Sequence, residues 1–322
     1  MRLLLRLLIT LLLISGCAAK KNGVSNLDNY FYPDLASPKL SLEGMIDRDK
    51  IRENYSFFRK FFGIEEEVQP LYRPFGLAVN KNYVAVSDIM FGVVYVIHKS
   101  NMKLEILKEI KNVSFKSIVD MDFYENELYF VDSELGKIFK YNVLSKDIRE
   151  VDIQIKNPTS IKIDGRNQKI FLTDKNRNNL VVTDLSGNIL NEISYQMNYP
   201  IDLDVIPEKR VLFVLDAMNF RVLKFDYDGN FLGSFGSIGT KPGTFSKPKG
   251  LCVDKFERIY VTDSDFDNFQ IFNSSGELLY FIGQKGIGIE DLYMPARVYC
   301  YEDELYVSDM FNSRVKIFKL YE

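Results

Sequence analysis

Leu305-Tyr306-Val307-Ser308-Asp309-Met310-Phe311-Asn312-Ser313-Arg314-Val315 is the stretch on which the reading of this chain turns. Four residues rich in β-branched and aromatic side chains run into an aspartate. A short turn follows, and an arginine then opens a second apolar run. Strand, turn and strand are the natural reading, because such side chains suit a pleated surface and Asp suits the residue that leaves it. Working outward, the same arrangement recurs at Ile259-Tyr260-Val261-Thr262-Asp263, Leu212-Phe213-Val214-Leu215-Asp216 and Ile170-Phe171-Leu172-Thr173-Asp174. It recurs again at Leu128-Tyr129-Phe130-Val131-Asp132 and Val84-Ala85-Val86-Ser87-Asp88. Successive aspartates stand 44, 42, 42, 47 and 46 residues apart. Each is preceded by a further alternating run, which opens with Pro74, Ile118, Pro158, Pro200, Pro248 or Pro295, and is followed by a third run; a Gly-containing hairpin then leads to a fourth run, as in Asp228-Gly229-Asn230-Phe231 and Ser275-Gly276-Glu277-Leu278. A period of about 40 to 47 residues holding four short strands is the signature of one propeller blade. The expected fold is therefore all-β: a six-bladed β-propeller of four-stranded antiparallel blades.

The last repeat stops at Phe318-Lys319-Leu320-Tyr321-Glu322, after its third strand. An unfinished blade would leave an open sheet edge, which invites pairing with other chains. The missing strand must then come from the other end of the chain. Lys39-Leu40-Ser41-Leu42-Glu43-Gly44-Met45-Ile46 alternates and is the expected closing strand, over about 39–46. The competing stretch, Tyr55 to Gly63, carries Phe57, Phe58, Phe61 and Phe62 at helical spacing, so about 53–62 is expected as a short capping helix.

Ahead of the propeller, Arg2 and Arg6 precede an apolar run from Leu7 to Ile14, and Leu13-Ile14-Ser15-Gly16-Cys17 closes it. This is the plan of a secretory signal, too short for the roughly 20 apolar residues of a membrane-spanning helix. It resembles a bacterial lipobox, which implies cleavage before Cys17 and lipidation of that cysteine. Residues 1–16 are then a signal peptide, 17–36 a lipid-anchored polar tether and 37–322 the propeller. Two acyl chains on the thiol and one on the freed amine anchor firmly, where one chain holds only marginally. Ala18 rather than an aspartate after the cysteine favours delivery to the outer membrane. The expected location is the cell envelope, on the periplasmic side.

The chain as written has 41 basic and 44 acidic residues. Without Arg2 and Arg6 the mature protein carries a net charge near −5. That balance, with export, argues against a nucleic-acid partner. The expected partners are the membrane, through the lipid, and an envelope protein or polymer; the propeller is expected to be monomeric.

The repeats resemble the NHL-repeat family. Tyr306-Val307-Ser308-Asp309-Met310-Phe311-Asn312-Ser313-Arg314-Val315 and Leu215-Asp216-Ala217-Met218-Asn219-Phe220-Arg221-Val222 look like its Tyr-Val-Ala-Asp-x-x-Asn-x-Arg-Val core. The likeness covers about residues 74–322 and is strongest in the last three repeats; Asp88 and Asp132 lack the Asn-x-Arg that should follow. Together with the opening around Tyr32-Pro33, it points to bacterial NHL-repeat lipoproteins.

Candidate chemistry is sparse. Asp88, Asp132, Asp174, Asp216, Asp263 and Asp309 are read as structural, accepting backbone N–H groups of the turns that follow. Inner-strand positions that should face the axis are Gly76, Asp120, Ser160, Asp202, Gly250 and Arg297, with Asp122 and Asp204 two residues further on. Solvated channel lining is the expected role, and Asp120, Asp202 and Arg297 are the candidate ligand-binding residues should a site exist. No catalytic residue, metal ligand or cofactor is assigned. Calcium is the cation such carboxylates would take, as in the six-bladed lactonases. The zinc site of NHL-like amidating lyases needs several histidines, and this chain has His98 alone. Glycines at 233–239 and 283–288 lack the ending of a phosphate loop and read as inter-blade connections. Cys252 and Cys300 lie on neighbouring inner strands at positions of opposite facing; whether they join is left open. The leading function is a non-catalytic binding scaffold; the alternative is a metal-dependent hydrolase or lyase with its site on the axis.

Overall fold

In the computed structural model the described residues are 31–32, 39–51 and 71–322. The expected signal peptide, Cys17, most of the tether and the expected helix at 53–62 lie outside them. Six antiparallel sheets form a ring, five of them built from strands running outward in chain order. Blade 1 consists of Pro74–Val79, Tyr83–Asp88, Val93–His98 and Leu104–Leu107. Blade 2 runs from Ile118–Tyr124 to Ile148–Val151, and blade 3 from Pro158–Asp164 to Ile189–Ser194. Blade 4 spans Pro200–Ile206 to Phe231–Phe235, and blade 5 Pro248–Val253 to Leu278–Ile282. The inner strands of successive blades are neighbours, and that of blade 6, Pro295–Tyr301, returns to that of blade 1.

Blade 6 is completed from the other end of the chain. Its own strands are Pro295–Tyr301, Glu304–Asp309 and Arg314–Leu320; its fourth is Leu40–Asp47. That strand pairs antiparallel with the third, setting Leu42 opposite Phe318 and Asp47 opposite Arg314. A bulge between Leu42 and Gly44 lets Glu43 turn to solvent while Leu40, Leu42 and Ile46 stay buried. The register explains why this segment and no polar one closes the ring: its apolar side chains meet Phe318 and Leu320 on one side and Val315 and Tyr306 on the other. Phe31–Tyr32, inside the stretch expected as tether, adds a two-residue strand outside Leu40 and Ser41. A helical turn starts at Arg48, with the amide of Lys50 donating to Asp47 Oδ1 at 2.8 Å.

The core is divided among the blade interfaces rather than gathered at one centre. Six apolar clusters occur among the described residues, each drawing on adjacent blades. Five of the six inner strands open with proline, which has no N–H to offer and is tolerated as a first strand residue. In each of these the pairing with the second strand slips within the next residues. Cys252 and Cys300 form a disulfide between the inner strands of blades 5 and 6, Cα atoms 5.7 Å apart. Their opposite facings meet at the interface the two blades share, where both contact the apolar cluster.

Candidate functional site

The six repeat aspartates are buried at the ends of the second strands. Each reaches back across its own blade to the loop that enters the inner strand. Asp88 accepts the amides of Tyr72 at 2.6 Å and Arg73 at 3.0 Å, and also that of Met90 in the turn that follows. Asp132 holds Lys116 and Ser117 on one side and Glu134 and Leu135 on the other. Asp174, Asp216, Asp263 and Asp309 accept from Lys156, Asn198, Ser246 and Tyr293 respectively. Spacing alone pointed to the turn after each aspartate; the longer reach to the preceding loop, 15 to 18 residues upstream, is a tertiary feature. Arg221 and Arg314 add ion pairs to Asp216 and Asp309 at 2.9 and 2.7 Å, and Asn219 and Asn312 each donate at 2.8 Å. The Asn-x-Arg of blades 4 and 6 thus neutralises a buried carboxylate. In blade 2, Lys137 turns away and pairs with Glu150.

On the axis the structure corrects the expected solvated lining. Asp120, Asp202 and Arg297 are 7%, 3% and 3% exposed. Arg297 lies across the centre of the ring. Its guanidinium donates to the carbonyls of Val119 at 3.1 Å, Thr159 at 2.6 Å, Ile201 at 2.8 Å and Lys249 at 3.3 Å, one from each of blades 2 to 5. It pairs with Asp202 at 2.6 Å and lies 3.9 Å from Asp120. A long, planar, multi-donor side chain does what water would have done, satisfying carbonyls that the ring turns inward.

The carboxylates are committed too. Asp120 accepts the amide of Ile161 at 2.9 Å, and Asp202 accepts the amide of Leu251 at 2.7 Å and the hydroxyl of Ser160 at 2.9 Å. Each therefore bridges to the inner strand of the next blade. Glycine stands at Gly250 because the strands come too close for a side chain: a Cβ there would lie 2.8 Å from the backbone of Ala296, Arg297 and Val298.

A second layer lies two residues further along. Lys162 sits 3.2 Å from Asp204 and 3.9 Å from Asp122, with its ammonium 4.5 Å from the centre of the Tyr299 ring. Tyr299 donates its hydroxyl to Asp122, and the amides of Ile163 and Val253 donate to Asp122 and Asp204 at 2.7 and 2.8 Å. Lys162 and Tyr299 carried no sequence signal beyond strand alternation.

Each layer holds two carboxylates and one cation. Burial raises the pKa of Asp120 to about 7 against the opposing pull of Arg297, with the neighbouring Asp202 carboxylate adding to the rise. Burial likewise raises Asp202 and Asp122, opposed by Arg297 and Lys162 respectively. A calcium ion fits poorly here. Its oxygens would have to be taken from backbone amides and a guanidinium, and no group of three or more His, Cys, Asp or Glu among the described residues is arranged around a common point. His98 ends the third strand of blade 1, away from the axis, with its ring edge-on to Tyr83 and Nδ1 near Ser100.

No protein-family model and no curated protein matches the chain. Solved structures do. An auxiliary nutrient binding protein from Bacteroides thetaiotaomicron superimposes with a TM-score of 0.64 at 11% identity, over 79% of this chain and 70% of that one. A virginiamycin B lyase from Staphylococcus aureus, with quinupristin, gives 0.59 at 16%, over 78% and 96%. A gluconolactonase from Xanthomonas campestris gives 0.60 at 13%, over 78% and 86%. At such identities the likeness is one of fold: a binding protein, a lyase and a lactonase share the architecture.

Proposed function

We propose that this chain is an envelope lipoprotein of NHL type whose propeller is a non-catalytic binding scaffold. Cys17 carries the lipid, residues 17–36 lead to the ring, and the outer membrane is the destination that Ala18 favours. One observation carries the non-catalytic reading: the axial polar groups are spent on one another. Arg297 occupies the centre, Asp120 and Asp202 are bound by amides and the guanidinium, and the single histidine stands far out in blade 1. A catalytic carboxylate needs an open side toward substrate, and a catalytic metal an open coordination position. What the ring offers instead is a stiff disc with six sets of loops, the arrangement on which recognition surfaces are commonly built.

The test is metal analysis of the full chain carrying Cys17→Ser, with Asp120→Ala and Asp202→Ala alongside. The scaffold reading expects no stoichiometric metal and no rise of thermal midpoint on adding calcium. Bound calcium that both substitutions remove would establish the axial hydrolase or lyase instead. For the anchor, Cys17→Ser should release the protein from membranes, and continued lipid labelling of that variant would refute the lipid assignment.

A further inference from the structure

The outer strands of the blades differ in what they show to solvent. That of blade 2, Ile148–Val151, exposes Arg149 and Glu150, and that of blade 3 carries Asn191 and Glu192. Blade 4 ends in Phe231–Phe235, with Phe231 and Leu232 exposed. Blade 5 ends in Leu278-Leu279-Tyr280-Phe281-Ile282, whose only polar side-chain group is the Tyr280 hydroxyl. Leu279 is 40% and Phe281 53% exposed. Blades 4 and 5 abut here, the Phe235 ring standing 4.9 Å from that of Phe272 in the third strand of blade 5. A groove of about 370 Å³ runs along the blade 5 strand. Ile271 and Leu278–Ile282 line one side of it, and Lys39 and Leu40, where the chain enters the closing strand of blade 6, line the other. An apolar outer strand with a free edge invites association, and a contiguous apolar patch of this kind marks a contact surface.

The course of the chain indicates the occupant. Phe31–Tyr32 pairs outside Leu40 and Ser41, so the segment expected to bear the lipid leaves the ring from the rim of blade 6, beside this groove. From Cys17 to Phe31 is a step of 14 residues, at most about 50 Å of extended chain. A bilayer holding the lipid is thus always within reach of this side of the rim, at the high effective concentration that a short tether gives. The free edge of the blade 5 strand keeps its N–H and C=O groups out of the hydrocarbon, where nothing would satisfy them. It suits the interfacial zone, where water and headgroups reach the backbone while Leu and Phe side chains enter the acyl boundary.

We propose that the rim at blades 4 and 5 is a bilayer-docking surface. Leu279 and Phe281, with Phe231 and Leu232 alongside, seat in the headgroup–acyl boundary of the membrane that holds the lipid. This contact rests on the lipid assignment to Cys17 and adds an orientation to the scaffold reading. The ring stands edge-on to the membrane, and the loops of both faces stay open to partners.

The chain contains no tryptophan, so a single one can be placed where it reports. The lipidated protein carrying Phe281→Trp is reconstituted in vesicles of phosphatidylethanolamine and phosphatidylglycerol, and quenching by brominated lipids is measured. Leu144→Trp is the comparison: Leu144 is 64% exposed, on the hairpin of blade 2 across the ring. Blue-shifted emission is expected from Phe281→Trp, quenched at least threefold more strongly than that of Leu144→Trp. Adding Leu279→Asp should cut the quenching severalfold, with the thermal midpoint kept and the protein still floating with the vesicles through its lipid. Equal quenching at both positions, or none at either in protein that floats, overturns the docking surface and leaves the anchor and the scaffold standing. Blue-shifted emission that brominated lipids do not quench assigns the rim to a second copy or a peptide, and overturns the proposal as well. A chain that carries no lipid and stays in solution overturns both this contact and the anchor beneath it.

Discussion

Arg297 and Asp202 meet at 2.6 Å in the centre of the ring, both almost wholly buried, on inner strands of blades 6 and 4 that are not neighbours. The guanidinium also binds carbonyls of blades 2, 3, 4 and 5, so one side chain ties the hub together. Arg297→Ala should cost about 3–5 kcal/mol of stability, because it strands a buried carboxylate and several carbonyls. Arg297→Met combined with Asp202→Asn should recover part of that loss, since the stranded charge is gone. Denaturant melts of the three proteins decide it, and equal midpoints for the single and double variants would count against the pairing as the cause.

Asp120 has a folded-state pKa of about 7, above its ordinary value of 3.8. A carboxyl raised in this way binds its proton more tightly in the native state. Its contribution to stability is full below about pH 4 and is lost as pH rises toward about 7, because ionising it inside the hub is disfavoured while the unfolded chain ionises freely. Asp120→Asn should therefore flatten the decline of unfolding free energy between those limits. Chemical denaturation across that window measures it, and an unchanged slope would refute the assignment.

Leu42 is 1% exposed in the closing strand and packs with the blade 6 side chains opposite it. Leu42→Ala should destabilise by about 2–5 kcal/mol, the usual cost of a core cavity. Hydrogen exchange should then show the loss of protection first in Arg314–Leu320, the strand it pairs with. Deleting residues 18–30 should leave that protection intact.

The Cys252–Cys300 disulfide closes a loop of sequence separation 48 between blades 5 and 6. Breaking it by Cys300→Ser should lower stability by about 2–4 kcal/mol, mainly through the greater freedom of the unfolded chain. Peptide mapping without reductant should recover the two cysteines joined, and free thiols in the oxidised protein would contradict the bond.

Gly250→Ala should destabilise although its backbone suits any residue, since the added methyl would lie 2.8 Å from three backbone atoms of blade 6. Thermal melting checks it against Gly44→Ala, whose Cβ would meet only the end of Ile317 at 3.9 Å and which should be nearly neutral.

Much of this protein was legible from the order of its residues alone. Period-2 alternation set the strands, the regular return of an aspartate set six blades, and the missing fourth strand of the last repeat pointed to residues 39–46, one residue from the observed Leu40–Asp47. These are local patterns, and one missing partner, written in neighbouring residues. The hub was not legible in the same way. Asp120, Asp202 and Arg297 could be placed on the axis, but alternation says only which way a side chain points, not whether water or another side chain meets it there. The guanidinium of Arg297 finds carbonyls 48 to 178 residues away, and Lys162 finds Asp122 and Asp204 each about 40 residues away. The disulfide was undecided for the same reason, because the two facings could equally have met or parted. Ring closure chose among these outcomes: it sets how near the inner strands approach, and that distance turned an expected channel into a filled, paired core.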